Sequence, residues 1–141
     1  MTEELIIAGF GGQGVLSLGM VLAYSGMMEN KEVSWMPSYG PEMRGGTANC
    51  ATIISDTKIS SPIITKFDTV IALNQPSLDK FESAVKPGGM LLYDTTNILI
   101  PPKRDDIEVY GIAASKEAAD MKNMKVLNMI VLGLIVFWMV M

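Results

Sequence analysis

An open, mainly parallel sheet wrapped by helices on both faces is the fold class predicted by three features of this sequence. Short apolar runs are bounded by glycine or proline, helical apolar spacing fills the intervals between them, and a glycine-rich turn follows directly after the first run. Leu5 to Ala8 reads as a strand buried on both sides. From Val15 to Met28 the residues Val15, Leu16, Leu18, Val21, Leu22 and Met28 recur at helical spacing with small residues between them, so a helix is expected to pack closely on the sheet. Glu32 to Met36 is a second strand, expected to stop at Pro37, and Asn49 to Ser55 a third.

Asp68 to Leu73 repeats the buried-strand pattern, and NQPSLDKFESAV then places Pro76 near a helix start with Leu78, Phe81 and Val85 on one face. Lys86 to Gly89 reads as a turn, Met90 to Tyr93 as a strand, and Thr95 to Asp106 as a polar connection. Ile107 to Ile112 is the last strand, and a helix is expected from about Ser115. Strands alternating with helices imply a Rossmann-like single domain over residues 1–141.

Composition removes whole classes of chemistry. The chain has no histidine and one cysteine, Cys50, so neither the usual zinc, haem or iron–sulfur ligand sets nor a His-based nucleophile pair can be built from it. Cys50, inside a strand-like run, is expected to be buried and inert. A net charge of −4 without a basic run argues against nucleic acid. A lone cysteine and an acidic start, MTEELIIAGF, suit a cytoplasmic protein. The apolar end, Val126 to Met141, contains Asn128 and no charge, and it reads as a helix buried in the domain or against a partner in preference to a membrane span.

Gly9, Gly11 and Gly14 fit G-x-G-x-x-G between a strand and a helix, where free amides form a seat for an anion. Gly14 is expected to let helix and strand touch. The acid that would grip a ribose at the end of the second strand is missing, because that strand ends in Trp35, Met36, Pro37, and Glu29 and Glu32 lie on the wrong side. An NAD(P) or FAD enzyme is therefore disfavoured, while the same glycines equally suit a plain tight turn. The segment PSYGPEMRGGTANC, Pro37 to Cys50, sets Tyr39, Glu42 and Arg44 in a rigid backbone at the sheet's carboxyl edge. Arg44 can pair with Glu42 or fork onto a phosphate or carboxylate.

GFGGQGV at Gly9 to Val15, PSYGPEMRGGTANC and ALNQPSLDKF at Ala72 to Phe81, in that order, resemble the gamma subunit of 2-oxoacid:ferredoxin oxidoreductases, from about Ile6 to about Gly133. The resemblance implies a subunit, inactive alone, of an enzyme that decarboxylates a 2-oxoacid oxidatively, transfers the acyl group to coenzyme A and passes electrons to ferredoxin. It implies alpha, beta and, where present, delta subunits as partners, with thiamine diphosphate and the iron–sulfur clusters held by them. For this chain it implies coenzyme A contacts and a part in domain movement, and no catalytic residue or metal. The residues it carries over are Gly11, Gly12, Gln13 and Gly14, then Ser38, Tyr39, Gly40, Glu42, Met43, Arg44 and Gly45. Asn74 and Gln75 stand at a strand's carboxyl end, where a helix cap is the default and a polar ligand contact the alternative.

The end GLIVFWMVM departs from the polar tail usual in the family, so the C-terminal helix is expected to be truncated or altered, with Phe137 and Trp138 as an interface surface if exposed. Two other readings stand beside the resemblance: a free-standing nucleotide-binding or regulatory module using the glycine loop, and a scaffold or membrane-associated protein built on its terminal helix.

Overall fold

Leu5, Ile6, Ile7 and Ala8 form the middle of strand β1 (Thr2–Phe10), and each is at most 3% exposed, so both faces of the strand are covered. The computed structural model describes residues 1–10, 14–38, 47–123 and 126–140. The chain continues through α1 (Val15–Met28), β2 (Glu32–Ser38), β3 (Thr47–Ser55), β4 (Phe67–Ala72), α2 (Gln75–Phe81), a 3-10 turn (Glu82–Ala84) and β5 (Val85–Asp94). It ends with β6 (Glu108–Ile112), α3 (Ala114–Asp120) and α4 (Leu127–Val140). The six strands make one sheet in the order β2-β3-β1-β4-β5-β6.

Strands β1, β4, β5 and β6 pair in parallel, while β3 runs against both β1 and β2. Five strands therefore point one way and β3 alone is reversed, the mainly parallel sheet expected. The reversal has a simple cause: β2 and β3 are neighbours joined directly through residues 39–46, whereas parallel neighbours need a crossover.

Alternation along the strands divides the core in two. Leu5, Ile7, Ile71 and Leu92 meet Leu18, Leu22, Ala114, Ala118, Leu127, Val131 and Ile135, so α1, α3 and α4 cover one face. Ile6, Val70, Ala72 and Leu91 meet Leu78 and Ile98, so α2 covers the other. In α4 the buried Leu127, Val131 and Ile135 are four residues apart, on one stripe. At about 1.5–3 kcal/mol each, these contacts hold an uncharged helix on the domain. Among the described residues, no helix is long and apolar enough to cross a membrane.

Several boundaries differ from the sequence expectation. α2 ends at Phe81, and after the 3-10 turn Val85 opens β5, so Val85 does not share a helical face with Leu78 and Phe81. Pro37 does not end β2, since Pro37 pairs opposite Cys50 and Ser38 opposite Asn49. β2 is the sheet's edge, where a missing N–H is tolerated. Lys86 to Gly89 lies within β5 as an irregularity: the register with β4 shifts between Phe67 and Thr69, and Gly88 sits at φ +80° with its amide donating to Asp106 O at 2.8 Å.

Close approach of α1 to the sheet falls to two glycines one heptad apart. A Cβ on Gly19 would lie 2.3 Å from Cys50 Sγ, and one on Gly26 would lie 2.8 Å from Val33. Replacing Gly19 by alanine favours the helix intrinsically by about 1 kcal/mol. The overlap with a buried, short side chain outweighs this, and Gly19→Ala is expected to lower stability by about 1–3 kcal/mol in urea unfolding. In a Cys50→Ala background that cost should fall by at least half; an unchanged cost would mean that the sulfur is not the obstacle.

Cys50 is fully buried and its thiol donates to Val15 O at 3.3 Å. Burial pushes its pKa up from 9.0 to about 11. The folded thiol holds its proton where the unfolded one has lost it, so its stabilising contribution is complete below pH 9.0 and declines as pH climbs to about 11. The unfolding midpoint of the native chain should drop through that window more steeply than that of Cys50→Ala, and equal slopes would refute the burial argument.

Candidate functional site

Because five strands share one direction, the ends of β1 at Phe10, β2 at Ser38, β4 at Ala72, β5 at Asp94 and β6 at Ile112 gather along one edge. β3 starts there too, with Thr47 opposite Phe10. The edge has a topological switch point between β1 and β4. The chain leaves β1 into α1 on one face, and leaves β4 into α2 on the other. Ligands of open α/β sheets bind in crevices at such points.

Gly14 begins α1 in the left-handed region, φ +78°, where a side chain is strained, and supplies no side-chain cap. The first bond of the helix runs from Leu18 N to Gly14 O at 2.9 Å, which leaves the first-turn amides without helical acceptors. No acidic residue occupies that turn. The tight contact at Gly14 is not with a strand, as expected from sequence, but with α4: an added Cβ would lie 3.0 Å from Asn128 Cβ. Asn128 Oδ1 is buried there without a hydrogen-bond partner among the described residues.

Of the other residues carried over by motif, Ser38 is exposed at the end of β2, and its even-numbered register puts it on the sheet face away from α1. Gly14 and Ser38 thus share the carboxyl edge but belong to opposite faces. Gly11, Gly12, Gln13, Tyr39, Gly40, Glu42, Met43, Arg44 and Gly45 lie outside the described residues, as do the side chains of Phe137 and Trp138. Glu29 caps the C-terminus of α1 and Glu32 opens β2, both at the edge opposite Gly14, where neither can reach a ligand of the glycine loop.

The third motif is held by its own side chains. Asn74 Oδ1 accepts from Ser77 N at 2.9 Å and caps α2, as the default reading has it. Gln75 is a clamp: its Oε1 accepts from Leu99 N at 3.1 Å and Ile100 N at 3.0 Å, and its Nε2 donates to Ile100 O and Asp79. Asn74 Nδ2 has no partner among the described residues although the residue is 1% exposed. A buried, unpaired amide costs about 1–3 kcal/mol.

Sequence reading missed Asp94, a fully buried carboxylate at the end of β5. It accepts from Ser115 Oγ, from Thr96 N at 3.0 Å and from Asn97 Nδ2 at 3.2 Å, while Asn97 Nδ2 also lies 3.4 Å from Leu73 O and 2.9 Å from Ser115 Oγ. The connections after β4, β5 and β6 are therefore tied to each other. The signal was available, since Asp-x-x-Asn after an apolar strand is turn chemistry.

Beside Asn74's helix, a cavity of about 220 Å³ is lined by Ala48, Asn49, Pro76, Ser77, Lys80 and Phe81. The opposite edge carries only structural charge. Lys86 Nζ bridges Glu4 at 3.0 Å and Asp68 at 3.2 Å, and burial raises the pKa of the neighbouring Glu3. Among the described residues no group of three His, Cys, Asp or Glu could hold a metal ion.

A mainly parallel α/β domain with an anion-ready helix start and a switch-point crevice is a class shared by many binding and catalytic subunits. The pyruvate ferredoxin/flavodoxin oxidoreductase family model matches residues 4–139, and the chain belongs to that family. It is 42% identical over 127 residues to ketoisovalerate oxidoreductase subunit VorA of Methanothermobacter marburgensis, covering 90% of this chain but 26% of that one. The chain therefore spans about a quarter of that relative's length. It is 34% identical over 136 residues to 2-oxoglutarate synthase subunit KorC of Methanocaldococcus jannaschii, covering 94% and 73%. Among solved structures, the gamma subunit of a keto/oxoacid ferredoxin oxidoreductase from Geobacter sulfurreducens superposes with a TM-score of 0.82 at 29% identity, over 96% of this chain and 75% of that one. The 2-oxoglutarate:ferredoxin oxidoreductase of Magnetococcus marinus, with 2-oxoglutarate, coenzyme A and succinyl-CoA bound, gives 0.84 at 27% identity, over 94% and 23%.

Capping and the unpaired amide make opposite demands on Asn74, which substitution can separate. Asn74→Ala removes the acceptor and is expected to cost about 1 kcal/mol. Asn74→Ser keeps an acceptor and deletes the orphan donor, so its melting temperature should match or exceed that of the native chain. A loss as large as alanine's would show that the amide is satisfied.

Proposed function

We propose that this chain is the gamma subunit of a multi-subunit 2-oxoacid:ferredoxin oxidoreductase and that its carboxyl edge meets coenzyme A. The observation that carries the reading is the extent of the match: the likeness to KorC and to the Geobacter gamma subunit takes in nearly all of this chain and about three-quarters of theirs. The relatives described above are all parts of larger enzymes, which leaves a free-standing nucleotide module without support.

In this reading the chain binds and orients, and the electron chemistry belongs to its partners. Its one thiol is buried and protonated, and it has no histidine, so an iron–sulfur cluster cannot be ligated from its own side chains. Thiamine diphosphate and the clusters then reside in alpha, beta or delta subunits, which pass electrons to ferredoxin, in the cytoplasm. In this reading the residues carried over by motif, Gly11 to Gly14 and Arg44, are assigned to the phosphates of coenzyme A, which suit backbone amides at a helix start and a forked guanidinium. Asn74 Nδ2 and Asn128 Oδ1, both buried beside this edge without partners among the described residues, favour a polar group from elsewhere. Relatives named for ketoisovalerate, 2-oxoglutarate and pyruvate share the domain, so selection of the 2-oxoacid falls to other subunits.

The chain alone should oxidise no 2-oxoacid and should restore coenzyme A-dependent turnover to a complex lacking it. In that complex Arg44→Ala should raise KM for coenzyme A about 10- to 100-fold, the loss of one charge-assisted contact, and leave KM for the 2-oxoacid unchanged. Tight NAD binding by calorimetry, or ferredoxin reduction by the chain alone, would reverse the assignment.

A further inference from the structure

On the sheet face away from α1, α2 covers β4 and β1 but leaves the β2–β3 side bare. There a groove of about 500 Å³ runs between α2 and the segment at residues 62–65, and it meets the 220 Å³ cavity through Asn49, Lys80 and Phe81, which line both. Its floor is apolar, formed by Ile6, Met36, Ala51 and Phe67, and its mouth is open to solvent. Met36 is 43% exposed and Ile63, on the wall, 76%.

Charge is distributed unevenly around it. The chain carries 15 acidic side chains against 11 basic ones, yet none of the described residues lining the groove or the adjoining cavity is acidic. Among those described residues the one charge is Lys80. Its Nζ lies 5.2 Å from the Phe81 ring centroid, and it has no ion pair among the described residues. Phe81 is itself fixed edge-on against Phe67, centroids 6.4 Å apart, so the ammonium rests on a rigid wall. Lys31, Lys86, Arg104 and Lys116 each have a carboxylate partner, whereas Lys58, Lys66, Lys103 and Lys122 share with Lys80 the lack of one among the described residues but do not combine it with an acid-free apolar groove.

We propose that this groove seats an extended segment of another subunit of the oxidoreductase, apolar along the floor and carrying a carboxylate that pairs with Lys80. The inference rests on the subunit reading above. The groove's open mouth and its continuity with the adjoining cavity suit a polypeptide laid along it, and a lining without acids among the described residues of an acidic protein selects a negative occupant by charge complementarity. On docking, the Lys80 ammonium exchanges water for a carboxylate while Met36 and Ile63 leave solvent.

The test is association of tagged chain with the other subunits, read as complex yield and affinity over a series of salt concentrations. Lys80→Glu should weaken assembly at least about 10-fold and abolish its salt sensitivity, Lys80→Arg should retain it, and Met36→Asp should weaken it without touching Lys80. Both weakening variants replace exposed side chains, and an unfolding curve on each confirms the fold. Normal assembly by Lys80→Glu and Met36→Asp overturns the groove assignment alone. Intact assembly with loss of coenzyme A binding in Lys80→Glu also overturns it, making the groove a small-molecule site. Failure of the unaltered chain to join any other subunit overturns the subunit reading and this one with it.

Discussion

The fit of α1 against β1, β2 and β3 is the contact on which the remaining geometry depends. A helix lies this close to a sheet only where side chains are absent on its inner line, and Gly19 and Gly26 clear that line over Cys50, Val33 and Ile54. Moving α1 outward by the width of a methyl group would separate Leu18 and Leu22 from Leu5 and Ile7 and loosen α4, which packs on α1. It would also move Gly14, and with it the amides that open the helix. Gly14 and the first turn of α1 are therefore positioned by packing several residues away from them, on the buried side of the helix.

That arrangement explains what was and was not legible in the sequence. Both-face burial makes the middle of a strand apolar, so Leu5 to Ala8 of β1 and Val70 to Ala72 of β4 stood out as short apolar runs, and the 14 residues of α1 followed from helical spacing. Strand direction was less visible. β3 looks like any other strand in sequence, and its reversal is decided by the short link to β2, a property of connection and not of composition. Pro37 misled for a related reason: a proline signals a break unless the strand is at an edge, and edge position is tertiary information.

The candidate site divides along the same line. Gly14 was legible because its conformation demands glycine, although its contact with Asn128 was not, since nothing local links residue 14 to α4. Asn74 as a cap was legible from its place before Pro76 and the helix. For Asp94 only the turn was signalled, by Asp-x-x-Asn, and not the tie between connections, because that requires Thr96, Asn97 and Ser115 to converge. A buried carboxylate with several donors holds loops in place, whereas a buried amide with none leaves a demand unmet, and the carboxyl edge contains both kinds.

Satisfied and unsatisfied groups thereby separate scaffold from function at this edge. Gln75, Asn97 and Asp94 spend their hydrogen-bonding capacity inside the chain, so they fix the crevice and have little left for a ligand. Asn74 Nδ2 and Asn128 Oδ1 approach the edge from α2 and α4 with capacity in hand, one donating and one accepting. Groups of this kind lower the stability of a lone domain and are maintained when something outside the chain completes them. An open groove whose lysine has no ion pair among the described residues, on a chain of net charge −4, makes the same argument for the neighbouring face. Both incompletions belong to a domain whose relatives work inside larger assemblies: its surfaces are finished by contact with ligand or partner, as the physics of a component requires.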